Sequence, residues 1–268
     1  MRIQTVLGPI DPESLGATMM HEHTFFDIEV TPGSYDAIVD DEAMLVDELQ
    51  AYSRAGGSAL VDLGVPAIGR NPAGMARLAS ATGVHIVMGA GWYRGEYHPD
   101  EIRTRSVNEL ADGLIREFRD GVGGTGVRPG ILGELGTGRG AMRAGEERAF
   151  RAAARAQREA GFSISTHTTH YGELAFEQIR LLREEGVPLQ RIVIGHLGER
   201  RGAADVRSSS GHRSLQRRVR CCVRIRRPPH RRDPGADEER ARLRRETHAR
   251  AVGDRRDRRE RAPRCRVD

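Results

Sequence analysis

Short apolar runs alternate with amphipathic stretches along the first 200 residues, and this alternation restricts the chain to a parallel sheet with crossover helices. The apolar runs are Ala17 to Met20, Ala59 to Leu63, Val84 to Met88, Gly130 to Glu134, Phe162 to Thr166 and Arg191 to Gly195. Between them, Asp40 to Ala55, Asn71 to Thr82, Ser106 to Asp120, Glu146 to Ala160 and Gly172 to Glu185 place apolar residues at helical spacing. Glycines at Gly56, Gly83, Gly161 and Gly186 stop four of these helices. The steps are roughly 30 residues long, the size of a βα unit. Residues 3–16 read as a lead-in with turns at Gly8-Pro9 and Asp11-Pro12.

Alternation alone suits either a doubly wound sheet or a barrel. The polar residues separate the two. His21 and His23 end the first strand, Glu134 the fourth, His167 the fifth and His196 the sixth. In a barrel these strand ends face one common mouth, where active sites of that fold lie. In an open sheet they would be strung along an edge. The expected architecture is therefore an α/β, (β/α)8 TIM-type barrel of which about six units are readable.

Four imidazoles and a carboxylate could supply two divalent cations with nitrogen and oxygen ligands. His21 and His23, two apart on a strand, point the same way and can grip one ion side by side. Glu134 stands in an apolar strand, where a carboxylate is costly unless it is paired or metal-bound. A glutamate can bridge two ions about 3.5–4 Å apart, and water shared by them is deprotonated near neutral pH. Such a centre hydrolyses an ester, lactone or phosphoester. His85, His98 and His170 read as residues without a chemical role. Trp92 and Tyr93 could line a pocket or pack in the core.

Composition breaks near residue 207. Residues 201–268 carry 23 Arg against 10 acidic residues, whereas residues 1–200 carry 20 Arg against 28, and the twelve aromatics all precede residue 200. The net charge of +5 thus belongs to the tail, and the first part is acidic. Cys221, Cys222 and Cys265 have neither a disulfide framework's nor a zinc site's spacing. No apolar run approaches the roughly 20 residues that span a membrane, so a cytoplasmic protein without membrane partners is expected.

The segments Val6-Leu-Gly-Pro9, Thr18-Met-Met-His-Glu-His23, Ile68-Gly-Arg-Asn71, Ile131-Leu-Gly-Glu-Leu-Gly-Thr137, Ser165-Thr-His-Thr168 and Ile194-Gly-His196 resemble the phosphotriesterase family of the amidohydrolase superfamily. They follow that family's order over about residues 3–200. The resemblance implies a (β/α)8 barrel with two metal ions, usually zinc, His21 and His23 holding the more buried ion and His167 and His196 the more exposed one. Many members bridge the ions with a carboxylated lysine on the fourth strand. This chain has no lysine, and Glu134 stands there, as in the family's glutamate-bridged branch. The implied activity is hydrolysis of a small-molecule ester, lactone or phosphoester by metal-bound hydroxide, with a homodimer open.

The same resemblance implies an aspartate after an eighth strand, and no residue here matches it. Asp233, Asp237, Asp254, Asp257 and Asp268 follow no credible strand, so no catalytic base is assigned. The expected division is an incomplete hydrolase barrel over residues 1–206 and an Arg-rich tail over residues 207–268. Three readings of the tail stand open: a solvated, disordered extension, an arm that neutralises phosphates, or text read out of frame. Nucleic acid is not the expected partner, because the tail lacks aromatics for base stacking. The competing functional reading is a degenerate, non-catalytic barrel whose basic tail binds polyanions.

Overall fold

The computed structural model of the protein describes residues 2–28, 37–169 and 172–197. All of these lie in the first of the chain's two compact units, Met1–Cys222. The expected boundary at residues 206–207, and every expectation about the tail, falls outside the described residues.

In chain order the elements are β1 (Ile3–Thr5), β2 (Gly8–Ile10), β3 (Thr18–Glu22), β4 (Phe26–Asp27), β5 (Ile38–Val39), α1 (Glu42–Arg54), β6 (Ala59–Asp62), α2 (Pro72–Thr82), β7 (His85–Ala90), α3 (Glu101–Thr104), α4 (Val107–Asp120), β8 (Ile131–Gly136), α5 (Ala144–Ala160), β9 (Ile164–His167), α6 (Ala175–Glu184) and β10 (Ile192–Ile194). All six expected strands and five expected helices are present, their ends moved by a few residues. The helix expected from Gly172 begins at Ala175. The lead-in is a small antiparallel hairpin, β1 with β2, and β4 pairs with β5 in a second. Three- and two-residue strands are too short to show a period, which is why the sequence pattern passes over them.

Local chemistry starts the helices. Asp41 caps α1 by accepting from the Ala43 and Met44 amides, and Asn71 caps α2 ahead of Pro72. Ser106 and Glu109 form a reciprocal capping box on α4. A different device anchors α5: the Glu146 carboxylate, fully buried, accepts from the Gly95 amide at 3.0 Å, Gly138 at 2.9 Å and Arg143 at 2.8 Å. One side chain thereby ties the loops following β7 and β8 to the helix beneath them.

The central sheet runs β10-β9-β8-β7-β6-β3, every pair parallel. Each strand lies beside its predecessor, without the order reversal that defines a doubly wound sheet. The sheet is also curled. β3 and β10 are its two edges among the described residues, and in a flat six-stranded sheet they would stand about 24 Å apart. Yet the rings of His21 and His196, carried at these edges, have centroids 5.0 Å apart. The architecture is six strands of a barrel with helices outside.

Two clusters bury the helices against the sheet. Leu45 and Leu49 of α1 and Met75 and Leu78 of α2 cover Leu60, Ile86 and Met88. Leu110, Leu114 and Phe118 of α4, Phe150 with the alanines of α5, and Leu181 and Leu182 of α6 cover Leu132, Ile164 and Ile192. The small α5 alanines let this helix pack closely between its neighbours. Val61, Leu63 and Val87 form a separate cluster with Ile3 and Ile131, and Val6 N–H donates to Ile86 C=O at 2.9 Å. The hairpin β1–β2 therefore rests against the sheet at the end opposite the histidines.

Between β7 and β8 the backbones meet at glycine. A Cβ on Gly89 would stand 2.1 Å from Gly133 O, a clash with main chain that no rotamer relieves. Gly89→Ala is expected to destabilise the fold by about 1–3 kcal/mol, read as a lower urea midpoint at unchanged slope.

Candidate metal centre

Five side chains from four strand ends converge on one point. Glu134 Oε1 lies 2.9 Å from His167 Nδ1, 2.9 Å from His196 Nε2 and 3.1 Å from His21 Nε2. Glu134 Oε2 faces His23 Nε2 at 3.9 Å. The imidazoles also contact one another, His21 with His23 at 5.4 Å and His167 with His196 at 4.3 Å between ring centroids. Every residue singled out as a ligand candidate is thus brought to the same place.

Local departures from regular strand aim these side chains. β8 pairs irregularly with both neighbours around Gly133 and Glu134, and β3 pairs irregularly with β6 between Met19 and Glu22. Such bulges re-aim side chains out of the pleat. Gly133 takes φ +135° and passes so close to β9 that a Cβ would meet Ser165 O at 2.3 Å. His196 has φ +58°, a left-handed conformation that disfavours residues with a Cβ and is held only where the surroundings enforce it. Here Gly195 N–H donates to Thr166 C=O at 2.9 Å, and Thr168 Oγ1 donates to Gly195 C=O at 2.8 Å.

Buried polar groups fix the backbone around the ligand candidates. Gln178 Nε2 of α6 donates to His167 C=O and to Thr137 Oγ1, both at 2.8 Å. Asp62, wholly buried at the end of β6, accepts from Thr24 N–H at 2.7 Å, Thr24 Oγ1 at 2.5 Å and Gly64 N–H at 2.8 Å. Thr24 directly follows His23, so Asp62 clamps the end of the histidine pair. Sequence reasoning missed Asp62, although an acid closing the apolar run Ala59-Leu-Val is the same signal that exposed Glu134. Of the aromatic pair, Tyr93 reaches the centre, its Oη 3.4 Å from His167 Nε2, while Trp92 joins the core around α4 and α5. His98, expected to be inert, donates from Nε2 to the Tyr93 carbonyl at 2.9 Å and so positions that tyrosine. His170 lies outside the described residues.

The electrostatics follow from burial and contacts. Burial would raise the Glu134 pKa, but hydrogen bonds from His167, His196 and His21 outweigh it and hold the carboxyl far below its ordinary value of 4.5. Burial lowers the His23 pKa from 6.5, more than Glu134 and Asp62 raise it, which favours the neutral imidazole. Burial, reinforced by Glu134, pushes the Tyr93 hydroxyl well up and keeps it protonated. Burial also raises the Asp62 pKa, against the opposing bonds from Thr24 and Gly64.

These donors fit divalent cations. Two triads, His21/His23/Glu134 and Glu134/His167/His196, each place their ligand atoms within 4.8 Å of one another and share one carboxylate. His23 Nδ1 is buried without a hydrogen-bond partner. Neutral imidazole nitrogen and carboxylate oxygen are the ligands that zinc-type ions take.

The protonation of Glu134 sets an acid limit on stability. A carboxyl whose folded pKa is depressed contributes stability above its unfolded pKa and loses it as pH falls toward the folded one. Metal-free protein should lose stability from about pH 4 downward, and Glu134→Gln should flatten that limb in urea melts at stepped pH. Asp62→Asn turns an acceptor into a donor facing Thr24 and should cost about 1–3 kcal/mol, seen in the same melts.

The sequence profile of the phosphotriesterase family matches residues 1–208. The phosphotriesterase homology protein of Escherichia coli K12 is 34% identical over 181 residues, covering 68% of this chain and 62% of that protein. The N-acetyltaurine hydrolase of Tetraodon nigroviridis is 32% identical over 226 residues, covering 73% of this chain and 64% of that protein. The chain therefore spans less than two thirds of the length of these relatives. Among solved structures, a lactonase from Listeria monocytogenes superposes with a TM-score of 0.71 at 27% identity, over 82% of this chain and 70% of that one. With five convergent side chains on a curled parallel sheet and a match over most of its length, the chain belongs to the phosphotriesterase family.

Proposed function

We propose that the protein is a metal-dependent hydrolase of the phosphotriesterase and lactonase type, acting on a small molecule with an ester, lactone, amide or phosphoester bond. The observation that carries this reading is the sharing of one buried carboxylate by two histidine pairs. In it His21, His23 and Glu134 hold one divalent cation, most simply zinc, and Glu134, His167 and His196 hold a second. Bound there, such ions supply Lewis acidity to a carbonyl or phosphoryl oxygen and acidify a water molecule.

The chain's own groups have separate tasks in this reading. Glu134 belongs to both triads, and its negative charge would offset part of the charge of the two cations. His167 would face a cation with Nδ1, leaving Nε2–H to donate to Tyr93 Oη, and that contact would fix the ring's tautomer and orientation. Asp62 and Gln178 keep His23 and His167 in place through the backbone. No group among the described residues is assigned as proton acceptor, and the tail aspartates lie outside them.

The relatives act on different bonds, as their names record: a lactone for the Listeria protein and N-acetyltaurine for the fish protein. Both are small acyl compounds, and Lewis acidity does not choose between them. The choice lies in the groups that line the mouth.

Metal analysis tests the reading directly. Dialysed protein titrated with zinc should take up two ions per chain, His21→Ala should lose one, and Glu134→Ala should lose both. Hydrolysis of a simple lactone or aryl ester should disappear with chelator and fall more than about 100-fold in either variant. A wild-type chain that binds no zinc at micromolar concentration would sink the proposal.

A further inference from the structure

Beside the histidine cluster stands a cation that the proposed chemistry leaves unused. Arg94 follows Tyr93 in the loop after β7, and its guanidinium carbon lies 5.1 Å from the Tyr93 ring and 5.4 Å from the Tyr97 ring. The same Tyr93 touches His167 on its other contact, so one aromatic ring separates the guanidinium from a ligand candidate. Arg94 also lies over the backbone of Gly136, two residues beyond Glu134: a Cβ on that glycine would come within 2.8 Å of Arg94 Cγ. The side chain is 23% exposed.

Its charge is incompletely matched. Arg94 Nε is buried with no hydrogen-bond partner. Its ion pair is with Glu96, Nη2 to Oε1 at 3.3 Å, and Glu96 serves Arg143 as well, accepting from Nη1 at 3.2 Å. Two guanidinium groups thus share one carboxylate at this rim. Nε is closed off from solvent, but the side chain as a whole is part-exposed with only a shared carboxylate as its ion-pair partner. An added anion at its open edge therefore gains from charge-assisted hydrogen bonds, which are the stronger class. The setting is also stiff, since Glu146 holds the Gly95 and Gly138 amides on either side of it. The surrounding residues 1–200 carry more acids than arginines, so an anionic substrate approaches a repelling domain unless a local cation receives it.

We infer that Arg94 is a specificity residue that reads a negative group on the substrate, a sulfonate, carboxylate or phosphate placed away from the bond that is cut. The inference rests on the hydrolase reading above and goes beyond it by naming the substrate class: acyl compounds with an anionic end. Tyr93 and Tyr97 give the side chain a fixed aromatic bed, and the neighbouring centre handles the acyl group.

Two measurements on the full chain test this. In the first, zinc-loaded protein hydrolyses 2-acetoxyethanesulfonate and the uncharged 2-methoxyethyl acetate. Arg94→Met should raise KM for the sulfonate ester by about 10-fold or more, leave the uncharged ester within about twofold, and Arg94→Lys should recover part of the loss. Equal losses on both esters would overturn the inference. In the second, metal-free protein is mixed with ethanesulfonate and binding is read by saturation-transfer NMR. A signal present in wild type and lost in Arg94→Met supports the inference even if neither ester is hydrolysed, in which case the hydrolase reading alone fails. No signal in wild type, or one unchanged in the variant, overturns it.

Discussion

The Glu134 carboxylate is the constraint on which the rest of the structure depends. It is buried almost completely, and a carboxylate in that position is costly unless other groups meet its charge. Three imidazole nitrogens do so within 3.1 Å, and they arrive from β3, β9 and the end of β10. Among the described residues these elements are the two edges of the sheet and one inner strand. The sheet must therefore curl for the charge to be met at all. Fold and site are one condition seen from two sides.

Curling in turn dictates where the backbone departs from a regular ladder. β8 bulges at Gly133 and Glu134, and the neighbouring strands approach so closely there that Gly89 and Gly133 have no room for a side chain. The left-handed backbone of His196 belongs with the same set of adjustments. Each is a local cost that the surrounding hydrogen bonds offset, and each serves to aim a side chain at the centre. Around this lies a shell of buried polar groups, Asp62, Gln178 and Glu146, whose partners are backbone amides and carbonyls rather than the centre itself. Glu146 and Gln178 hold the loops at the strand ends to the helices outside, and Asp62 holds the loop after β3 to β6.

Much of this was legible from residue types alone, because burial leaves marks on sequence. A carboxylate in Ile131-Leu-Gly-Glu134 and histidines directly after apolar runs are out of place unless something compensates them. The five ligand candidates follow from that logic, and the resemblance to the phosphotriesterase family, in a chain without lysine, marks Glu134 as the candidate bridge. Asp62 carries the same mark and could have been read. Gln178 and Glu146 could not: each sits in an ordinary helical context, and its importance comes from partners 8 to 51 positions away. Arg94 could not either, because its place beside the centre depends on how the loop after β7 lies against Gly136. The hairpins β1–β2 and β4–β5 escaped for a different reason, since two or three residues cannot establish a period.

Sequence by itself determined the succession of strands and helices, their capping residues and the identity of the polar groups at the strand ends. These are properties of single segments, set by periodicity, by side chains that bond to their own backbone, and by the cost of burying charge. The polar strand ends already pointed to a barrel rather than an open sheet; tertiary structure supplied the degree of curl, which brings His21 and His196 together from the two edges among the described residues. Tertiary structure alone decided that Tyr93 turns to His167 while Trp92 turns to the core, and that Arg94 ends beside the centre with part of its charge unmatched. Such outcomes depend on distances between segments remote in sequence, and no local pattern encodes a distance.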